Sequence, residues 1–391
     1  MSMALALETP AAVGEPLALR VHTSFDGLEP IAGAWNELAL GLPRPSPYLL
    51  FPWARTWWRE YSSRGELAVV VASRGGTTAG ILPAFVRRSR GMRVLRFLGD
   101  YRSMLADVLL APGEDARLAR RLLEAALAGA DYASLFGLSA GSTAEAAAAG
   151  ALRLHERNEA PVVELGSDWE AVLRSKLSSD TRARFRRKRR RLEELGRLEI
   201  DYAVTPARVA RAAEESFRIH ELRWQGRPDL SGIATAEAQR FYSAAYRALA
   251  EERPGTLRIA TLRLEGRAIA YNAHFLLGRR MYAHRLGFDP AHGRFSPGLL
   301  LILDVFERAC AEGVELVELL GPAEDYKRPF VDRFEPLHEG IGLPQTVRGR
   351  IAVGAHEGGI RARSRLKRHA RLRQAYVSAR AALGRFPVSG T

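Results

Sequence analysis

The chain has 391 residues, 47% of them apolar and 26% charged, with a formal net charge of +14 at pH 7. That length suits two domains of ordinary size, and that apolar share excludes global disorder. The single cysteine, Cys310, excludes an intramolecular disulfide and a cysteine-based metal site, and it is expected to pack inside a helix.

Residues 1–20 read as a flexible start without the basic stretch and compact apolar block of a signal peptide. Residues 24–62 are expected to be helical in two pieces, separated by the prolines at 43, 45 and 47. The second piece carries Trp53 and Trp57 on one face, which form either a core stripe or a groove wall. Strands follow at 67–73, 79–86 and 92–98, joined first by the Gly75-Gly76 turn. Pro83 inside the second strand predicts an edge or a bulge. A loop over 99–113, a helix near 115–128 and a strand at 132–138 complete this unit. Residues 161–165 are expected to form a strand leading into the next.

The helix predicted over 178–195 is capped by Ser178, Ser179 or Asp180 and ended by Gly196. Phe185, Leu192 and Leu195 form a narrow apolar stripe, and basic side chains cover the rest. Eight of the ten residues at 182–191 are basic. That face is either solvated or an anion-binding surface. Helices over 201–226 and 237–253 then lead into strands at 257–264, 268–277 and 281–288, a helix near 297–312 and a strand at 315–320. The element order of 67–138 thus returns in 257–321 and predicts two copies of one fold. From Pro344 the chain becomes basic, with nine basic residues and no acid over 360–391 and a helix expected over 360–383. The two basic segments together exceed the net charge of the chain. They are local devices suited to phosphates, anionic lipid or an acidic polymer. No nucleic-acid recognition motif accompanies them. No apolar run is long enough to span a membrane, and a cytoplasmic location is expected.

In the second copy, Ser296 suits an N-cap, Pro297 the first helical position, and Gly298 a close approach to backbone. Free N–H groups and the helix dipole there make an anion site for a pyrophosphate-bearing co-substrate, to which Arg294 adds charge. No metal is expected, because no His/Asp/Glu set has ligand-like spacing. His284 and His274 lie on strands as satisfied histidines or cleft bases, with His284 nearer the 287–298 loop and able to take an amine's proton.

This arrangement resembles the acyl-CoA-binding core of the GNAT acetyltransferases. The fuller pattern resembles the CelD/BioF-type branch, cousins of the FemAB peptidyltransferases, which carry two GNAT-like domains in tandem. The matching residues are His220 with Leu222-Arg223-Trp224, Phe241-Tyr242, Ala268-Ile269-Ala270, Tyr282, Gly287-Phe288-Asp289-Pro290, Ser296-Pro297-Gly298, and Gly321 with Tyr326-Lys327. The resemblance implies an α/β (α+β) fold of two GNAT-like domains, each a mixed, mainly antiparallel sheet flanked by helices. The first covers 21–160 on the acceptor side, the second 161–345 with the acyl-CoA, and 346–391 is a basic tail.

The resemblance also implies acyl transfer, with acetyl-CoA the expected co-substrate, to a small-molecule or sugar amine, and a link to cellulose or other polysaccharide production. Lys327, after Tyr326, would stabilise charge near the reacting carbonyl. Asp107, and less so Asp100, would grip or deprotonate the acceptor. His220, Arg223 and Trp224 would line the acceptor groove. The first copy lacks a Ser-Pro-Gly helix start, so its own donor site is expected to be lost. Two alternatives stay open. One is a FemAB-type transferase using aminoacyl-tRNA, and the other a nucleic-acid-binding protein using Arg182–Arg191.

Overall fold

A computed structural model describes residues 16–89, 91–148, 150–225 and 232–368. The first half begins with β1 (Leu17–His22), α1 (Ala32–Leu40), α2 (Phe51–Tyr61), β2 (Gly65–Leu67), β3 (Val69–Arg74) and β4 (Thr77–Leu82). It continues with β5 (Ala84–Ser89), β6 (Met92–Phe97), β7 (Leu109–Leu110), α3 (Ala116–Leu127), β8 (Tyr132–Ser139), α4 (Thr143–Ala148) and β9 (Leu152–Asn158). The second half begins with β10 (Pro161–Glu164), α5 (Trp169–Lys176), α6 (Ser179–Glu193), β11 (Leu198–Ala203), α7 (Pro206–Trp224) and α8 (Ala236–Glu252). Then come β12 (Leu257–Leu264), β13 (Arg267–Leu277), β14 (Arg280–Phe288), α9 (Pro297–Ala311), β15 (Leu316–Glu318), β16 (Arg333–Phe334), β17 (Leu337–Gly342) and α10 (Val347–Arg368).

The fold is mixed α/β, with mainly antiparallel sheets flanked by helices. The second-half sheet has the order β11-β12-β13-β14-β15-β10-β16. The first half has two sheets, β1-β3-β4-β7 and β2-β5-β6-β8-β17-β9. Pro83 divides what the sequence reads as one strand. Proline has no N–H to give a ladder, so β4 before it pairs with β3 and β5 after it pairs with β6. Joined through Pro83, the series β1-β3-β4/β5-β6-β8-β17-β9 repeats the second-half order position by position. In both series one pair is parallel, β6 with β8 and β14 with β15. The two halves are copies of one fold in the hydrogen-bonding pattern itself.

One strand, β17, crosses the boundary between the halves. β10 follows β9 in the chain but pairs with β15 and β16. β17 follows β16 but lies between β8 and β9 of the first copy. The unit expected over 161–345 therefore gives its last strand to the first half. The start expected to be flexible also differs. Residues 1–15 lie outside the described residues, but 17–22 form β1, paired antiparallel with β3. Leu17 and Leu19, two apart, turn to the first-half core.

One core runs across the halves. Trp53, Trp57 and Tyr61 of α2 share it with Phe241 and Tyr242 of α8 and Phe275 of β13. Trp53 and Trp57 are therefore buried core residues. On the other face of the second sheet, Leu301 and Val305 of α9 pack on Ala260 and Leu262. Cys310 is buried there, its Sγ against the Gly166 carbonyl, in a packing role. α10 begins at 347, earlier than expected, and the remainder of the helix expected to 383, with Leu372, Tyr376 and Leu383, lies outside the described residues.

Candidate active site

β14 and β15 pair in parallel only over Arg280–Tyr282 and Leu316–Glu318, and then part. A cavity of about 480 Å³ lies in the opening. Residues 283–286 with Phe288 of β14 form one wall, and Leu319, Leu320 and Gly321 beyond β15 form the other. The start of α9 enters through Ser296, Gly298 and Leu299, the end of α7 through His220, Arg223 and Trp224, and the first half through Tyr48 and Met104. The equivalent opening of the first copy is filled by its own chain. There the Ala106 N–H donates to the Gly137 carbonyl at 3.0 Å. A Cβ at Gly137, whose φ is +87°, would stand 3.0 Å from the Met104 carbonyl oxygen, so this close approach requires glycine.

At the α9 start, Pro297 occupies the first turn as expected, behind the cavity wall. Ser296 departs from expectation. Its φ of +53° is left-handed and its hydroxyl makes no cap. Its carbonyl accepts from the N–H groups of Leu299 and Leu300, and its hydroxyl receives the Lys188 ammonium at 2.6 Å. The Gly298 N–H meets no acceptor among the described residues. Lys188 belongs to the basic helix α6 and has no carboxylate partner among them. A free amide, the positive end of a helix and an ammonium group thus converge. Arg294 stacks on Phe295 at 4.6 Å and is not part of the cavity wall.

A β-bulge sets the chemistry of β14. Arg285 opposes Ala273, and Ala283 opposes His274, which leaves His284 as the extra residue. Strand alternation breaks there, and the side chains of both His284 and Arg285 reach Tyr242. His284 stands among five aromatic rings, from Tyr48, Trp53, Tyr242, Tyr246 and Phe275, at centroid distances of 4.8 to 5.8 Å. Its Nδ1 is 3.2 Å from the Tyr48 hydroxyl, and its Nε2 is buried without a partner. Burial, and then the Arg285 charge, hold its pKa well below the usual 6.5.

His220 is buried against the Tyr271 hydroxyl at 3.1 Å, and burial lowers it to about 4. His274 faces the Asn272 side chain at 3.1 Å, and burial lowers it likewise to about 4. All three histidines line the cavity. Each is neutral when folded and takes a proton more readily when unfolded, so stability is full above pH 6.5 and falls as pH drops toward 4. Urea stability should fall by about 1.2 kcal/mol from pH 6 to pH 5 for His220 and for His274, and His274→Gln should flatten that slope. An unchanged slope in that variant contradicts the assignment.

Lys327 is buried at the wall, but its ammonium donates to the Leu320 and Pro322 carbonyls at 2.9 and 3.1 Å and stands 3.3 Å from Glu324. These contacts pin the loop after β15, and the charge expected to face a reacting carbonyl is committed to them. Tyr326 beside it lines the cavity, and burial, with Glu324 next, pushes its hydroxyl well above 10.

The two aspartates of the first copy do not reach this cavity. Asp107 accepts from the N–H groups of Thr143 and Ala144 at 3.0 and 2.8 Å and so caps α4. It borders a separate cavity of about 420 Å³ between the halves, beside Arg44 and Arg280. Burial raises it to about 6, against these backbone bonds. Asp100 is buried in ion pairs with Arg87 and Arg96 at 3.1 and 2.8 Å. The oxygens of both are partnered within the first half. The cavity gathers His220, Arg223, Trp224, His284, Ser296, Gly298, Tyr326 and Lys327 from the expected set. Sequence reasoning missed Arg285 and Tyr48. The only signal for Arg285 was its place beside His284, and the bulge that makes it inward-facing is not written in residue types.

Residues 179–328 match a family model described as an acetyltransferase (GNAT) domain. No curated protein sequence matches the chain. Among solved structures, FemX aligns over 79% of this chain and 95% of its own, with a TM-score of 0.56 at 10% identity. A conserved protein of unknown function from Bacteroides thetaiotaomicron aligns over 83% and 100%, with a TM-score of 0.55 at 12% identity. The C-terminal domain of a protein assigned as a lysylphosphatidylglycerol synthetase from Agrobacterium fabrum aligns over 82% and 95%, with a TM-score of 0.52 at 14% identity. At such identities the likeness is one of fold. Residues 179–328 are thus similar to a GNAT acetyltransferase domain, and the two copies together share a fold with FemX.

Proposed function

We propose that the chain is an acyl-CoA-dependent N-acyltransferase. The observation that carries this reading is the opening between β14 and β15, with a free amide and an ammonium that has no carboxylate partner among the described residues at the α9 start beside it. The diphosphate of a coenzyme A thioester rests on the Gly298 N–H and Lys188. Its extended arm lies along the edge that β14 exposes beyond Tyr282, where an amide-bearing chain finds unpaired backbone groups.

The thioester then reaches the bulge at His284. The acceptor amine attacks the thioester carbonyl, and a backbone N–H on the edge that β14 exposes beyond Tyr282 stabilises the developing oxyanion. With Nδ1–H donated to Tyr48, the Nε2 lone pair of His284 takes the proton that the attacking amine sheds. The C–S bond breaks, and Tyr326, kept protonated by its surroundings, delivers a proton to the leaving thiolate. The products are the amide and free coenzyme A. The test is thiol release from acetyl-CoA with a panel of amines. Release that depends on both donor and amine is expected, and its absence with every acyl-CoA and amine overturns the reading.

A second reading has one observation in its favour. Arg184, Arg186, Arg187, Arg190 and Arg191 of α6 are exposed and have no acidic partner among the described residues. Lys188 anchors this face beside the α9 start. A longer polyanion such as aminoacyl-tRNA would use that surface as well as the α9 start. Transfer from a charged tRNA, but not from acyl-CoA, supports this reading over the first.

A further inference from the structure

Among the described residues, Arg285 is a cation without a counter-ion. Its Nη2 donates to the Tyr242 hydroxyl at 2.5 Å, and its guanidinium lies 4.3 Å from the centre of that ring. Its Nε is buried without an acceptor, and its Nη1 has none among the described residues. No carboxylate pairs with it among them. Two more guanidinium groups stand close. Arg102 lies 5.7 Å from the same Tyr242 ring, and Arg223 stacks 4.3 Å over Phe288 at the cavity wall. Neither has an acidic partner among the described residues. The acid that does line the cavity, Glu324, is already paired with Lys327. Burial pushes the Tyr242 hydroxyl up, but the Arg285 and Arg102 charges outweigh it and hold the pKa below its ordinary value, as a strongly positive site requires.

The position of this charge separates it from the donor. Arg285 lies on the α8 side of the sheet with Tyr242, whereas α9 and its neighbour Leu286 lie on the opposite side. A positive pocket repels a simple alkylammonium ion. It accepts an amine whose own anionic group pays for the unpaired guanidinium, and the planar fork of arginine matches a carboxylate. His284 and Arg285 are consecutive, about 3.8 Å apart at Cα, and the bulge turns both to one side. An amine at His284 and an anion at Arg285 then belong to one small molecule.

We infer that Arg285, assisted by Arg223, is the carboxylate-binding subsite for the acyl acceptor, and that the acceptor is a small amino acid-like amine. This rests on the transferase reading above. The full-length chain is assayed for thiol release from acetyl-CoA with free amino acids, β-alanine and 4-aminobutyrate, each paired with its carboxamide. At least one acid is expected to exceed its amide by about tenfold or more in kcat/KM. Arg285→Gln should raise KM for that acid by roughly tenfold to a hundredfold, with a smaller change in kcat. Arg285→Lys should restore part of the loss. If Arg285→Gln fails to fold by circular dichroism, Arg223→Gln replaces it and should weaken the acid preference in the same direction.

Thiol release that treats acids and amides alike overturns the subsite and leaves the transferase reading standing. If no pair supports thiol release, the wider acyl-CoA and amine panel decides the transferase reading, and calorimetric titration of the same pairs decides the subsite. Acids that bind the wild type more tightly than Arg285→Gln support it, and no such acid in the panel overturns it.

Discussion

Replacing His284 with alanine is expected to lower the rate of acyl transfer by a factor of about 10² to 10⁴ while leaving the affinity for the acyl donor unchanged. The loss falls on kcat because the imidazole acts when the amine attacks and makes no contact with the α9 start, where the donor is held. His284 suits this task by being neutral. Five aromatic rings exclude water from it, and the adjacent Arg285 charge further disfavours its protonation. Its protonation should therefore place no limb in the rate profile between pH 6 and 8, and any loss of rate on the acid side there belongs to the amine. Tyr48→Phe removes the partner at Nδ1 and should give a smaller loss than His284→Ala, because the ring stays held by its aromatic neighbours. Comparable rates in wild type and His284→Ala would remove the imidazole from the mechanism.

Trp53→Ala is expected to cost about 3 to 5 kcal/mol of stability, the range for truncating a buried large aromatic. The side chain is fully buried, and its Nε1 donates to the Ser103 hydroxyl at 3.0 Å. It belongs to α2 of the first copy, yet its ring meets Phe241 of α8 at 5.1 Å, Phe275 of β13 at 5.9 Å and His284 at 5.8 Å. The same substitution should therefore lower turnover, since the cage around His284 loses a wall. Urea unfolding followed by fluorescence and by circular dichroism should give one coincident transition at a lower midpoint, as the shared core and the crossing of β17 into the first-half sheet require. Two separated transitions, or a loss below about 1 kcal/mol, would contradict a single core joining the copies.

Much of the fold was legible. The duplicated element order rested on strong local signals: the glycine turns between strands, the proline-rich break before α2 and the Ser-Pro-Gly start of α9. The strand over 161–165 was legible as the opening of the second unit, but the crossing of β17 was not, because nothing in its composition tells which sheet receives it. β1 was lost among alanines and prolines, although Leu17 and Leu19 already alternate. The candidate site was legible at its corners and not at its centre. His284 and Gly298 stood beside recognisable turns. Asp107 and Lys327 followed from family likeness, and the structure gives both structural partners that residue types do not reveal. Arg285 was hidden by strand alternation, which puts it opposite His284 until the bulge is known. Tyr48 comes from the first copy and joins the site only through tertiary packing.

The most direct measurement is thermal and chemical stability with and without acetyl-CoA, in the wild type and in Gly298→Trp. At a hundredfold excess over Kd, the donor should add about 2.7 kcal/mol to the wild type. The variant should keep its unliganded fold by circular dichroism and lose that gain, because an indole at Gly298 covers the α9 start. Equal stabilisation of both proteins, or no stabilisation of the wild type by any acyl-CoA, would contradict donor binding at this helix start.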